Sequence, residues 1–241
     1  MKSGSVKILF KLHMLTRTEE LVFRHLSKFI SDHRKETIER VLDLRTRYIT
    51  IILEDIFQSQ NASAVVRTCE CMGLQEIHMV ENITKYSINP KVLRGANKWI
   101  DIKRYRSKKD HNTMVCFNQL RNEGYKILVA DPDEDGISVH DINVNEGKLA
   151  LMFGNELRGA SKTSLENCDA KVKIPMYGFT ESLNISVSVA ICLDSIITKL
   201  RNGDISSGLS TAEKDILRLK WYRKIVRKSE LIEREFLRTI Q

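Results

Sequence analysis

The sequence predicts an α/β protein: a parallel sheet with helices on both faces, set between helical N- and C-terminal extensions. Three observations predict it. Short β-branched runs alternate with segments of helical period through the middle of the chain. Those runs are apolar nearly throughout, as strands buried on both faces must be. Both ends carry long helical patterns rich in Lys and Arg. The 241 residues contain only 3 prolines, which argues against disordered linkers.

Residues 15–44 read as one helix, with Leu21, Val22, Leu26, Phe29, Ile30, Ile38, Val41 and Leu42 spaced between charges. At residues 48–53 the period changes to a β-branched strand. Asn61 is a good N-cap, and residues 62–72 read as a helix stopped by Gly73. Residues 77–80 form a second strand. A helix ending at Asn122 is closed by Gly124, and residues 125–130 are a strand running into Asp131-Pro132. Residues 149–153 and 172–176 are further strands, and residues 182–200 a long helix. Asn202 to Gly208 is the clear break, and residues 211–240 read as another basic helix. The expected division is a basic arm over 1–47, an α/β domain over 48–201 and a basic extension over 202–241.

Charge follows that division. Residues 1–50 hold 11 Lys/Arg and 6 Asp/Glu, and residues 199–241 hold the same numbers, whereas 51–198 hold 17 and 19. Positive arms around a neutral core are expected of a protein that grips a polyanion; two solvated helices remain the plainer alternative. No apolar run approaches the roughly 20 residues of a membrane span. The first residues, MKSGSVKILFKLHM, show no signal-peptide pattern. A cytoplasmic protein is expected, and five cysteines without a second Cys/His pair at ligand spacing point to no metal.

Ligands of open parallel sheets bind at the carboxyl ends of the strands. Three such ends carry unusual residues: Asn61 and Arg67, then Gly154 and Glu156, then Ser182 and Asn184. Dinucleotide and P-loop glycine patterns are absent, as are G-x-S-x-G and H-E-x-x-H. A nucleoside-like ligand would have to be held by backbone groups of several loops. Singly, each residue also fits a surface position or a helix cap.

Together, NASAVVRTCECMG (61–73), LMFGNELRGAS (151–161) and IPMYGFTESLNISVSVAICL (174–193) closely resemble the three motifs of the SpoU family of RNA ribose 2′-O-methyltransferases. The resemblance runs from about Ile49 to Leu200, with Gly95-Ala96-x-Lys98-Trp99 a lesser match. It implies a C-terminal deep trefoil knot that holds S-adenosylmethionine. Backbone groups near Gly154, Ile174, Met176, Ser182 and Leu183 would hold the cofactor, with Ala130 and Asp131 closing over it. It assigns activation of the hydroxyl to Arg67 and organisation of the site to Asn61, Glu156, Ser182 and Asn184. A guanidinium is a poor base, so Arg67 is expected to orient the hydroxyl and stabilise developing oxyanion charge. The family also implies a homodimer, with Glu156 of one subunit facing Arg67 of the other.

Two basic helical extensions resemble family members that methylate guanosine 18 in the D-loop of tRNA. Ribosomal RNA is the alternative substrate, and a non-catalytic RNA-binding protein a third reading. Expected phosphate contacts are Arg34, Lys35 and Arg40, then Lys199, Arg201, Arg223, Lys224 and Arg227. Where such members place arginines late in the long helix, Thr198 and Leu200 stand here, with Lys199 and Arg201 displaced by one residue, about 100° of helical turn. The N-terminal arm is longer than usual, and Met14 is an alternative start.

Overall fold

In the computed structural model, which describes residues 15–132 and 135–240, the single helix expected over 15–44 is two. The first, α1 (Arg17–Ser27), opens on a capping box of Thr16 and Glu19, and α2 (Asp32–Asp43) follows. Apolar spacing continues through Phe29 and Ile30, so periodicity alone does not reveal the join. Ser31 starts a new turn there, its carbonyl accepting from the amides of Arg34 and Lys35. The alternative start at Met14 lies outside the described residues.

Strand β1 (Ile49–Glu54) is buried at every position, and so is β2 (Glu76–Val80). Between them α3 (Ser59–Cys71) starts earlier than expected. Gln58, not Asn61, is its N-cap, and Asn61 lies in the first turn with its side chain committed elsewhere. After β2 come a short helix α4 (Pro90–Leu93) and the edge strand β3 (Asp101–Tyr105), both without a strong apolar signature. Next stand α5 (Asn112–Asn122), β4 (Tyr125–Ala130), a two-residue β5 (Ile137–Ser138), β6 (Lys148–Phe153), α6 (Lys162–Glu166) and β7 (Ala170–Lys173). The strand expected over 172–176 thus lies earlier: Pro175 has no amide for a ladder, and residues 174–184 belong to no helix or strand. Helix α7 (Ile185–Asn202) begins after Asn184, whose side chain caps it by accepting from the amide of Ser186. The helix expected over 211–240 is interrupted at Lys228 (φ 57°), giving α8 (Thr211–Ile225) and α9 (Ser229–Thr239).

The seven strands are parallel, in the order β3-β2-β1-β6-β4-β7-β5. From β1 the chain steps outward to β2 and β3, then returns to build the other half. The order therefore reverses between β1 and β6, where open α/β sheets place their ligand crevice. On one face Ile49, Ile51 and Leu53 pack with Val65, Val66 and Cys69 of α3 and Val189, Cys192 and Ile196 of α7. On the other, Ile52, Ile127 and Met152 pack with Cys116, Phe117 and Leu120 of α5.

Residues 44–208 form one compact unit, and the segments before and after it form a second. In the second, Val22, Leu26, Ile38, Leu42, Leu217, Leu219 and Trp221 are buried. Phe23 lies against Tyr222 at 5.0 Å and His25 stacks on Phe236 at 4.1 Å. Arg218 grips Glu39 through two bonds of 2.6 Å, and Lys214 pairs with Asp43 at 2.8 Å. Among the described residues, no helix is long and apolar enough to cross a membrane.

At the amino ends of the strands, Glu76 receives Arg47 at 2.6 Å, Lys103 at 2.8 Å and His78 Nε2 at 3.1 Å. Burial pushes this carboxyl up, but the bonds and charges of His78 and Lys103 outweigh it and hold the pKa down to about 2. With the folded value below the ordinary 4.5, the pairing stabilises fully above that value and is lost as pH falls toward 2. Glu76→Gln should flatten the pH dependence of the urea midpoint across that window. An unchanged slope would show that Glu76 does not carry acid stability.

Candidate active site

Paired strands set the site. Leu53 of β1 stands opposite Phe153 of β6, so the loops leaving these strands emerge side by side. After β6 the chain folds back on itself at once. A Cβ on Gly154 would lie 2.2 Å from the backbone of Gly159 and Ala160, so only glycine fits. Asn155 and Gly159 exchange two backbone bonds of 2.9 and 2.8 Å, and Gly159 takes a positive φ of 68°.

Asn155 locks this turn to the rest of the sheet end. Its Nδ2 donates to the Asp55 carbonyl at 2.7 Å, and its Oδ1 accepts from the amides of Leu157 and Arg158. Asp55 itself has φ 52°, and its carboxylate accepts from the amides of Ile83 and Thr84. Beneath, the buried Glu54 carboxylate accepts from Thr113 Oγ1, Ser161 Oγ, the Ser161 amide and Ser164 Oγ. Sequence reasoning gave Asn155 and Glu54 no role. Their partners are remote in the chain, and each residue locally resembles an ordinary turn or strand end.

Of the five residues expected at the site, Asn61, Glu156 and Asn184 come together, and Arg67 and Ser182 do not. Asn61 Nδ2 donates to Glu156 Oε1 at 3.0 Å, and Asn61 Oδ1 accepts from Asn184 Nδ2 at 3.1 Å. Glu156 also accepts from the amides of Phe57 (2.9 Å) and Gln58 (3.2 Å), the groups just ahead of α3. Glu156 therefore caps α3 from another loop, where a negative charge suits the helix dipole. Partial burial raises its pKa, but the bonds from Asn61, Phe57 and Gln58 outweigh that and hold it below the ordinary range. Arg67 stands apart. It is exposed, six residues beyond Asn61 and so about 120° round the helix from it. Ser182 is likewise exposed in the 174–184 segment.

Because β6, β4 and β7 are neighbours, the loops after them also share one sheet end. Ala130, Asp131, Gly154, Ile174 and Met176 are half-buried there, while Leu183 is exposed. The Asp131 amide donates to the Val172 carbonyl at 3.0 Å, closing the β4 loop onto β7. A glycine cradle and irregular backbone fit a nucleoside cofactor held mainly by main-chain groups.

The expected phosphate contacts divide. Arg34, Arg40, Arg201, Lys224 and Arg227 are exposed. Lys35 pairs with Asp32 at 2.9 Å. Lys199 is turned inward, its Nζ donating to the carbonyls of His140 and Ile142, while Leu200 beside it is in the core. Arg223 is gripped by Glu233 through two bonds of 2.9 and 2.6 Å.

Residues 48–194 match the family model described as the SpoU rRNA Methylase family. The chain is 45% identical over 208 residues to a tRNA (guanosine(18)-2′-O)-methyltransferase of Borreliella burgdorferi, covering 86% of this chain and 93% of that one. It is 26% identical over 202 residues to the protein of the same name from Aquifex aeolicus, covering 82% and 93%. Among solved structures, the A. aeolicus TrmH/SpoU tRNA modifying enzyme superposes with a TM-score of 0.70 at 25% identity, over 84% of this chain and all but 1% of that one (99% covered). The SpoU methyltransferase AviRb from Streptomyces viridochromogenes, solved with AdoMet, shares the fold (TM-score 0.56, 20% identity, 68% and 62% covered).

The two loop glycines should behave differently. Gly154→Ala forces backbone apart and should cost about 1–3 kcal/mol with loss of the site. Gly159→Ala meets only the left-handed φ, roughly 1 kcal/mol, with the site kept. Urea midpoints and cofactor titration of both variants test this; equal effects would exclude the close approach at Gly154 as the constraint.

Proposed function

Because this chain belongs to the SpoU rRNA Methylase family, we propose that it transfers a methyl group from S-adenosylmethionine to the ribose 2′-hydroxyl of guanosine 18 in tRNA. The observation that carries this reading is 45% identity across 86% of the chain to a tRNA (guanosine(18)-2′-O)-methyltransferase. The Glu156–Asn61–Asn184 hydrogen-bond chain supports it by joining three loops of one sheet end.

Bound S-adenosylmethionine supplies an electrophilic methyl group on a sulfonium. What the protein supplies is position. Asn61 joins the start of α3, the Glu156 loop and the Asn184 cap of α7, so three elements share one geometry. Arg67 projects from the same helix and is the group that orients the hydroxyl and offsets its developing charge. The family's deep trefoil knot belongs to this reading. Helix α7 is tied to residues 139–142, in the connection between β5 and β6, by Lys199, and Ser195 Oγ donates to the Val139 carbonyl at 3.3 Å. A homodimer belongs to it too: Phe57 (66% exposed) and Leu157 (86%) flank Glu156, and Val187 lies exposed on α7. These are apolar groups suited to a second copy. The Glu156 carboxylate already serves Asn61 and two amides, so Arg67 of a partner would meet an oriented oxygen. The exposed cations Arg34, Arg40, Arg201, Lys224 and Arg227 are the arms' and core's phosphate contacts, and a tRNA substrate places the work in the cytoplasm.

Labelled S-adenosylmethionine, offered with unmodified tRNA and separately with ribosomal RNA, should mark guanosine 18 of tRNA. Label confined to ribosomal RNA would overturn the substrate and keep the chemistry. Arg67→Lys should lower turnover by about 100-fold or more with cofactor affinity unchanged. Near-normal turnover would exclude any role that needs guanidinium geometry.

A further inference from the structure

Averaged over residues 51–198 the charge is nearly balanced, yet one connection in that stretch is strongly positive. From residue 82 to residue 100 the chain carries Lys85, Lys91, Arg94 and Lys98, and no Asp or Glu. All four side chains are exposed. Lys85, Lys91 and Arg94 make no ion pair among the described residues. Like charges gathered without acidic partners repel one another and favour an anionic ligand.

The connection is held in place. It leaves the carboxyl end of β2, the sheet end that carries Asp55, Asn155 and Glu156. At its start, the amides of Ile83 and Thr84 donate to the Asp55 carboxylate at 2.7 and 2.9 Å. In its middle, the Asn89 amide donates to Ser63 Oγ at 2.7 Å, and Ser63 is fully buried in α3. Leu93, Ala96 and Ile100 are buried beneath it, and α4 packs on α3. Ser63 and Arg67 are four residues apart and so share one face of α3. The helix face that receives this basic connection is thus the face that carries Arg67.

We infer that residues 82–100 form a phosphate-binding lip of the RNA site. Lys85, Lys91 and Arg94 contact the phosphodiester backbone beside the nucleotide presented to Arg67, and Ser63 is the positioning residue that seats the lip. The inference rests on the RNA methyltransferase reading and adds to it a surface within the α/β core, apart from the basic arms. Such contacts contribute affinity and salt dependence, with little base preference.

The test is the affinity for unmodified tRNA as a function of salt, with methyl transfer measured in parallel. In Lys85→Ala/Lys91→Ala/Arg94→Ala, losing three phosphate contacts should make the slope of log affinity against log salt shallower by about 2. The KM for tRNA should rise roughly tenfold at moderate salt, with cofactor affinity unchanged. The charge-conserving Lys85→Arg/Lys91→Arg/Arg94→Lys should keep the wild-type slope, which a purely structural role would not predict. An alanine variant with unaltered slope and KM would overturn the lip. Failure of the wild-type protein to methylate any RNA would instead overturn the reading beneath it, a result read from wild type alone.

Discussion

The Asn155 side chain donates to the carbonyl of Asp55 across 2.7 Å, and the geometry of the whole sheet end is referred to that contact. Asn155 is also paired through its backbone to Gly159, so the turn that it closes cannot slide along β1. Asp55 in turn holds the start of the β2–β3 connection through two amides. One asparagine therefore couples the loops after β1, β2 and β6. A non-glycine residue at φ 52° is tolerated in Asp55 because short polar side chains can bond locally in the left-handed region. Deleting the amide of Asn155 would leave buried polar groups unpaired on both sides, a loss of about 1–3 kcal/mol for each group.

Two glutamates near that contact do different work because their surroundings differ. Glu54 is buried and surrounded by hydroxyl and amide donors from α5, α6 and the turn before α6, so it binds elements of the scaffold together. Glu156 is half-exposed and faces the open end of α3, where it accepts from two amides and from Asn61. The bonds from Asn61 and the two amides outweigh its partial burial and hold its pKa below the ordinary carboxylate range. A negative charge at a helix start stabilises α3, and the bond to Glu156 leaves Asn61 Oδ1 to accept from Asn184. The site is thus organised by carboxylates and amides, with Arg67 exposed on another face of α3, about 120° round the helix from Asn61.

Cations are sorted by the fold in a way that composition conceals. Lys199 and Arg223 count toward the charge of the arms, yet one is spent on backbone carbonyls and the other on Glu233. Lys85, Lys91 and Arg94 vanish in the near-neutral average of the core, yet they share one exposed connection. Net charge per segment shows where a polyanion is favoured in aggregate. Which cations are free to meet it depends on what each side chain touches.

Much of the sheet was legible in the sequence. Apolar, β-branched runs mark β1, β2, β4 and β6, and glycines after α3 and α5 mark the helix ends, because these signals are local. The same locality made three quoted motifs sufficient to identify the family. The readings that failed are those where a distant or opposed group decided the outcome. Helical period ran through the breaks at Ser31 and Lys228. Strand β3 carries Lys103 and Arg104 on an edge, and Asn61 looks like an N-cap only until Glu156 takes over that task. The sequence by itself determined the elements, their order and the residue types that the chemistry requires. The tertiary structure alone decided which of them meet. The bonds from Asn155 to Asp55, from Glu156 to Asn61 and from Asn184 to Asn61 span 100, 95 and 123 residues. No local propensity encodes such separations; they arise when the parallel sheet brings its strand ends to one edge.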